Sequence, residues 1–371
     1  MKIALIHDHL IQEGGAERVL QNFSGIWPSA PIYSLLYDQE KLGEIFKDKD
    51  IRTSFLQNWP GALKHYQWFL PFMPTATESY DLMEYDVILS SCSAMAKGVI
   101  TRSNTLHFCY CHTPTRYLWS DTHRYLEELK YNRLIKKIIP PILTKLRSWD
   151  QLAAQRVDFF IANSKNVADR IKKYYRRDSL IIHPPVATKK FYISENIGRY
   201  FLCGGRLVGY KRFDLAIMAF NRLGIPLKIF GQGPEEKKLR SLAKNNIEFV
   251  GKTNAEELAE LYSQAIAFIH PQIEDFGLTA VESMASGRPV IAYAAGGACE
   301  TVVNNKTGKF FDEQIWEALA DAVVRFKPEI FKPKDIKIYA EQFSEERFRQ
   351  EIVNLIEIEW QKLKSTQIKC F

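Results

Sequence analysis

Strand-like and helix-like segments alternate along this 371-residue chain in two separate series, and that alternation constrains the fold before any motif is considered. Short runs rich in branched and aromatic residues stand at 2–7, 31–35, 86–91, 105–111, 159–163 and 180–183. Helical patterns at 16–24, 149–156 and 166–174 fall among them. The second series has strands at 200–203, 227–230, 247–250, 265–269 and 290–293, again separated by helical stretches. Asn254, with Glu257 three residues on, reads as a capped helix start. Parallel strands need long crossovers, usually helices, and the resulting sheets are covered on both faces. The sequence therefore predicts an α/β protein of two doubly wound, Rossmann-like domains, and its length suits two cores rather than one. The polar stretch 184–199 lies between the series and reads as linker. The expected domains are 1–186 and 187–349, with 350–371 as the end of a long helix that opens at Ser344, Glu345 and Glu346.

The segment Glu274-Asp-Phe-Gly-Leu-Thr-Ala-Val-Glu282 carries the most chemistry. It follows an apolar run that reads as a buried strand, and a glycine opens the helix after it. A helix start offers backbone N–H groups without intrahelical partners, so it suits an anion. Phe276, Gly277 and Leu278 would supply those groups, while Gly277 permits close approach of a ligand. Glu274 lies outside the helix and Glu282 inside it, separated by roughly 8 Å along the axis. Two acids flanking an anion site suit a ligand with hydroxyls at both ends and phosphate between, such as a nucleotide-diphosphate sugar. A solvated helix face would explain the acid pair alone. Gly14-Gly15, after the first strand, is a second glycine loop opening a helix, able to approach a phosphate or an acceptor or simply to turn the chain. Nothing in that loop reads G-x-G-x-x-G, which argues against a nicotinamide enzyme.

The acids, Phe276-Gly277-Leu278 and the later Gly287-Arg-Pro-Val-Ile291 resemble the E-x7-E signature of retaining glycosyltransferases of the GT-B fold, family 4. The resemblance implies two domains facing across a cleft, with the C-terminal helix, opened by Phe343-Ser344, crossing back to the first. It implies that Glu274 faces the donor sugar, that the backbone after it faces the diphosphate, and that Glu282 holds the ribose hydroxyls. Arg206 and Lys211 take the family's diphosphate-neutralising positions, and fixed cations there stabilise a leaving diphosphate without a metal. Gly231, Gly233 and Val250 look like base-holding loops, with strand-end turns as the plain alternative. Asn163-Ser164 and Gly296-Gly297 also resemble family positions. His112, in Cys-His-Thr-Pro-Thr-Arg-Tyr-Leu-Trp119, matches a histidine that touches the donor sugar near the reacting carbon. This last segment is similar to bacterial mannosyltransferases of surface-polysaccharide and O-antigen biosynthesis, which implies GDP-mannose as donor. The expected activity is transfer of a hexose, with retention, to a hydroxyl of a glycan carried on a polyprenyl diphosphate. No cofactor or metal is expected: His7-Asp8-His9 alternates faces along a strand and is poorly shaped for one ion. A UDP-sugar donor, a GT-B sugar-nucleotide 2-epimerase and a non-catalytic membrane scaffold remain as alternatives.

Charge is uneven. Between Lys130 and Trp149 the cations Lys130, Arg133, Lys136, Lys137, Lys145 and Arg147 alternate with leucines and isoleucines and meet no acid. That pattern suits an anionic membrane surface, or a helical hairpin packed on its own domain, with Pro140-Pro141 expected to divide it into two pieces. A second basic run spans 165–177, and no recognition motif supports a nucleic-acid partner. The aromatic stretch 55–72, with Trp59, Tyr66, Trp68 and Phe69, suits either an acceptor pocket for a lipid-linked sugar or the core of an insertion. No apolar run is long enough to span a bilayer, and Cys92, Cys109, Cys111, Cys203, Cys299 and Cys370 show no paired spacing. A cytoplasmic protein with free thiols, peripherally attached to the inner face of the plasma membrane, is expected.

Overall fold

The computed structural model describes residues 1–128 and 133–368. The chain divides into two compact units, Met1–His183 with Arg349–Phe371, and Pro184–Phe348. The sequence places the division after residue 186.

The first unit contains β1 (Ile3–His7), β2 (Ile32–Ser34), β3 (Ile51–Thr53), β4 (Val87–Cys92), β5 (Leu106–Cys111), β6 (Phe159–Ala162) and β7 (Ser179–Ile181). Its sheet runs β3-β2-β1-β4-β5-β6-β7, and every pairing is parallel. The second unit contains β8 (Phe201–Gly204), β9 (Leu227–Phe230), β10 (Ile247–Gly251), β11 (Phe268–His270), β12 (Val290–Tyr293) and β13 (Gly308–Phe311). Its order is β10-β9-β8-β11-β12-β13, again all parallel. Both sheets wind outward in opposite senses from a central pair, β1/β4 and β8/β11. Ligands of such sheets bind beyond the carboxyl ends of the strands at that reversal, so the fold points to the loops after β1, β4, β8 and β11.

Alternation along the strands builds the cores. Leu202 faces a cluster with Phe268, Val290, Met284 and Tyr262, while Phe201 and Cys203 face another with Ile269, Ile291 and Phe220. Successive residues of a strand point to opposite faces, so these clusters lie on the two sides of one sheet. Both sides being apolar explains why the strands read as near-continuous hydrophobic runs.

Two strands are not expected from the sequence. β3 is a half-exposed edge of three residues carrying Arg52 and Thr53, and Lys309 interrupts the apolar pattern of β13. The helix Ala255–Gln264 begins as expected, with a reciprocal capping box between Asn254 and Glu257. The last helix runs Glu345–Ile368; the Ser344 hydroxyl accepts the Arg347 N–H at 3.4 Å, and Arg349 Nε donates to Asn22 Oδ1 at 2.9 Å. From Arg349 onward this helix belongs to the first unit.

Pro140-Pro141 does not divide its segment: one helix spans Arg133–Gln155. A proline removes one helical N–H and crowds the carbonyl four residues earlier. Here those carbonyls belong to Lys136 and Lys137, on a side where Lys137, Pro140 and Pro141 are exposed to water. The opposite side is held by packing. Leu143 and Leu146 are buried, and Ile139, Ile142 and Trp149 pack on the same cluster together with Trp59, Tyr66 and Phe69 of the aromatic insertion. The apolar side of this segment is thus spent mainly on its own core, with Ile138 left exposed. Lys130 and Cys370 lie outside the described residues, as do the side chains of Arg133, Leu134 and Ile135.

The same helix carries a buried ion pair. Lys97 Nζ lies 2.5 Å from Asp150 Oδ1, and Asp150 also accepts from Thr115 Oγ1 at 2.9 Å and Trp119 Nε1 at 2.8 Å. Burial alone would lower the Lys97 pKa, but Asp150 outweighs it and holds the ammonium well above its ordinary value. Replacing Lys97 with Met would leave Asp150 charged and buried without its cation. We expect a loss of about 3–5 kcal/mol in the first unit, read as a shift of its denaturant midpoint.

Candidate functional site

In the second unit, Lys211 follows β8 and Glu274 follows β11, and their side chains meet: Nζ lies 2.9 Å from Oε1, at 11% and 15% exposure. Burial would lower the Lys211 pKa, but Glu274 beside it raises it on balance, so the ammonium is kept. Gly277 caps the helix Leu278–Ala285 with φ of 93°, a left-handed conformation that favours glycine. A Cβ on Gly205 would lie 3.0 Å from Lys211 Nζ and 4.0 Å from Thr279 Cγ2. Lys211 Nζ and the Thr279 side chain, in the first turn of that helix, thus both lie beside the glycine loop after β8. Phe276 buries its ring in the core against Phe343, at 5.5 Å between centroids, and Leu278 is half-buried. Gly297 N–H donates to the Glu274 carbonyl at 2.8 Å, which fixes the acid-bearing loop.

The remaining expected residues are placed differently. Glu282 is 4% exposed and accepts the Tyr262 hydroxyl at 3.1 Å, so this acid is already engaged inside the unit. Arg206 is exposed. Gly231, with φ of 101°, packs so tightly on the Gly205 backbone that a Cβ would fall 1.9 Å from its carbonyl oxygen. Its N–H donates to Gly251 O at 2.7 Å, immediately after half-buried Val250, and Gly233 packs on the Leu207 backbone. Close packing between strand-end loops accounts for these two glycines without a ligand.

Sequence reasoning passes over His270 and Gln272, both fully buried just before Glu274. Neither ring nitrogen of His270, neither amide atom of Gln272, nor the Thr279 hydroxyl has a hydrogen-bond partner. These are five of the thirteen such side-chain atoms among the described residues, concentrated in one ten-residue segment. Unsatisfied buried polar atoms each cost on the order of 1–3 kcal/mol, so this concentration marks the segment as a site rather than ordinary core. Burial pushes the His270 pKa down to about 4, with Glu274 opposing and Lys211 assisting.

In the first unit the loops after β1, β4 and β5 converge. Gly14 caps the helix Gly15–Ile26, and the Glu17 carboxylate folds back beneath it; a Cβ on Gly14 would meet Glu17 Oε2 at 2.9 Å. His112 Nε2 lies 2.8 Å from Ser91 Oγ, which lies 3.1 Å from His7 Nδ1. Asn163 Nδ2 donates to the His112 carbonyl at 2.9 Å, and Ser164 caps the next helix. Burial brings the His112 pKa down to about 4; His7 adds to this, while Asp8 and Glu17 oppose it. The ring is neutral at neutral pH and stands at the carboxyl end of β5, one strand from the reversal point, joined through Ser91 to the end of β4.

His7, Asp8 and His9 diverge. Asp8 accepts four backbone N–H bonds from residues 93–96, at 2.6–2.9 Å, and the His9 ring packs on Tyr66 at 5.2 Å. A D-x-D spacing of the kind used by metal-dependent glycosyltransferases does occur once, at Asp48-Lys49-Asp50, and sequence reasoning passes over it. It sits in the turn before β3, where Asp50 pairs with Arg52 at 2.8 Å. Among the described residues no three histidine, cysteine or acidic side chains are grouped to hold a metal.

Two parallel Rossmann-like sheets, with site residues at the reversal point of each, make this a GT-B architecture, and solved glycosyltransferases share it. Anabaena HepE in complex with UDP aligns with a TM-score of 0.72 over 96% of this chain and 100% of its own, at 18% identity. Sucrose-phosphate synthase from Thermosynechococcus elongatus aligns with a TM-score of 0.74 over 98% and 100%, at 17% identity. Residues 188–343, within the second unit, match the family Glycosyl transferases group 1. An uncharacterized glycosyltransferase of Methanocaldococcus jannaschii is 29% identical over 44% of this chain and 48% of its own length. The GDP-mannose-dependent alpha-(1-6)-phosphatidylinositol monomannoside mannosyltransferase of Mycobacterium tuberculosis is 34% identical over 33% and 36%. A GDP-mannose-dependent alpha-mannosyltransferase of Corynebacterium glutamicum is 32% identical over 36% and 33%. The chain thus spans about half or less of the length of these curated relatives.

The depressed histidines have a consequence for stability. In the unfolded chain a histidine binds its proton near pH 6.5, whereas His112 and His270 in the fold do so only near 4. Stability is therefore full above pH 6.5 and falls as the pH drops toward 4, by roughly 3 kcal/mol per histidine. Denaturant titrations across that window should show the loss, and His270→Gln should show less of it than the wild type.

Proposed function

We propose that the protein is a retaining glycosyltransferase that moves mannose from GDP-mannose to a hydroxyl of a polyprenyl-diphosphate-linked glycan during bacterial polysaccharide synthesis. The observation that carries this reading is the half-enclosed Lys211–Glu274 pair beside the Gly277 helix start. A cation and a helix N-terminus suit a diphosphate whose negative charge grows as the glycosidic bond breaks. Glu274 meets the sugar hydroxyls, Arg206 and Lys211 hold the diphosphate, and Glu282 takes the ribose side. Val250 and the glycine loops at Gly231 and Gly233 border the base, while Gly14 and Gly15 approach the ligand from the first unit's loop. His112 orients the sugar. The acceptor hydroxyl attacks on the face the diphosphate leaves, assisted by a leaving phosphate oxygen, so the α configuration is kept and no metal is needed. Support for the mannosyl donor comes from GDP-mannose-dependent relatives at about a third identity over part of their length.

Attachment to the anionic inner face of the plasma membrane belongs to the same proposal. Its support is the exposure of Ile138, Trp68 and Phe72, at 61%, 60% and 48%, with Lys137 and Lys145 also exposed on the long helix of the first unit. No helix among the described residues is long and apolar enough to cross a membrane. The protein should sediment with phosphatidylglycerol vesicles at low salt and stay free of phosphatidylcholine ones; equal behaviour toward both would remove this part.

Calorimetry with GDP-mannose, UDP-glucose and UDP-N-acetylglucosamine, each with and without EDTA, tests the donor. GDP-mannose alone should bind, unaffected by EDTA. Preference for a UDP-sugar replaces the donor, and no binding by any of the three overturns the transferase. Turnover without acceptor would favour an epimerase. Two variants separate the roles within the pair. Lys211→Ala should lose nucleotide affinity by roughly tenfold or more, the worth of one charge-assisted contact. Glu274→Ala removes the carboxylate competing for Lys211, so it should keep GDP affinity while abolishing transfer. Wild-type-like turnover in either variant would sink these assignments.

A further inference from the structure

A line of side chains in the first unit runs from the glycine loop to His112. Glu17 Oε1 lies 3.7 Å from His7 Nε2; His7 Nδ1 lies 3.1 Å from Ser91 Oγ; Ser91 Oγ lies 2.8 Å from His112 Nε2. His7, Glu17 and Ser91 are 3%, 6% and 0% exposed, so water does not compete for these contacts. A serine hydroxyl has one proton. Placed between two imidazole nitrogens, it donates to one ring and accepts from the other, so the line has a direction.

Glu17 decides that direction. It is the third residue of the helix Gly15–Ile26, where the positive helix end stabilises a carboxylate. Burial pushes its pKa up, but His7 and the backbone outweigh that, and it stays below the ordinary value. An ionised carboxylate only accepts, so a neutral His7 turns its single ring proton, on Nε2, toward it. In that form His7 Nδ1 is a lone pair that takes the Ser91 proton, and Ser91 oxygen accepts Nε2–H from His112. The charged and titratable groups around the line are Glu17, Asp8, His9 and the two rings themselves.

We infer that Glu17, His7 and Ser91 are positioning residues that hold His112 as its Nε2–H tautomer, leaving Nδ1 as an acceptor for a sugar hydroxyl. The role assigned to Nδ1 rests on the transferase reading; the tautomer does not. The glycine loop does more than approach a ligand: by orienting Glu17 it sets which face of His112 the ligand meets.

Nitrogen-15 NMR of histidine-labelled protein reads the tautomer directly, with the His112 signals assigned by their loss in His112→Gln. The wild type should show Nε2–H on His112. Glu17→Gln is nearly isosteric, and its amide can donate to His7, reversing the line; His112 should switch to Nδ1–H. Ser91→Ala interrupts the line and should give a mixture. In Glu17→Gln, where Nδ1–H no longer accepts a sugar hydroxyl, kcat/KM for transfer should fall roughly tenfold, the worth of one hydrogen bond. Nδ1–H on wild-type His112, as a doubly protonated His7 would impose, overturns the inference, as does a tautomer unmoved by Glu17→Gln. A tautomer that switches in a preparation transferring no sugar supports the relay and counts against the transferase alone.

Discussion

Asp8 is the contact on which the first unit's functional edge depends. Its carboxylate is 4% exposed, and each oxygen accepts two backbone N–H groups of the loop after β4. An isolated buried carboxylate would be costly. Burial would raise its pKa, but the neighbouring histidines and then the backbone N–H groups of Ser93 and Ala96 outweigh that and hold it below the ordinary range. Because Asp8 follows β1 and residues 93–96 follow β4, this one group clamps the two strands at the reversal point of the sheet. His7, Ser91 and His112 keep their spacing because the strand ends carrying them cannot slide.

The second unit solves the same problem with backbone instead of charge. Its strand ends are joined by glycines packed against neighbouring carbonyls, as with Gly231 on Gly205, and by the Gly297 bond to the Glu274 carbonyl. That leaves polar side chains for other uses. Lys211 and Glu274 satisfy one another, while His270, Gln272 and Thr279 have buried atoms without partners. In the first unit, Asp8 and Asp150 are saturated by partners inside the protein. Saturation marks structural polar groups, and a cluster of buried atoms lacking partners is the opposite signature.

The paired parallel sheets were legible because strands buried on both faces leave apolar runs that no turn can imitate. β3 and β13 were not, since a short edge strand buries too little to need such a run. The uninterrupted helix through Pro140 and Pro141 was also hidden, because its stability comes from Leu143, Leu146 and Asp150 meeting partners distant in sequence. Of the candidate site, Glu274 and Gly277 could be named from local spacing after a strand, and Lys211 from the family resemblance. The engagement of Glu282 by Tyr262 could not, because nothing local relates two residues brought together by helix packing. His7 and Ser91 escaped for a related reason. As letters within apolar strands they resemble core polar residues, and only the register of β1 against β4, which pairs His7 with Ser91, makes them neighbours.

That register also explains why the glycine loop and His112 belong to one device, although they are far apart in the chain. A loop that merely turned the chain would tolerate any residue at the third position of the following helix. Here that position is occupied by an acid, buried and facing a histidine, and its carboxylate folds back to within 2.9 Å of where a Cβ on Gly14 would lie. The small residue and the acid fit together. Glycine makes the room, the helix end keeps Glu17 ionised, and the strand ends pass that fixed charge to His112 as the position of a proton.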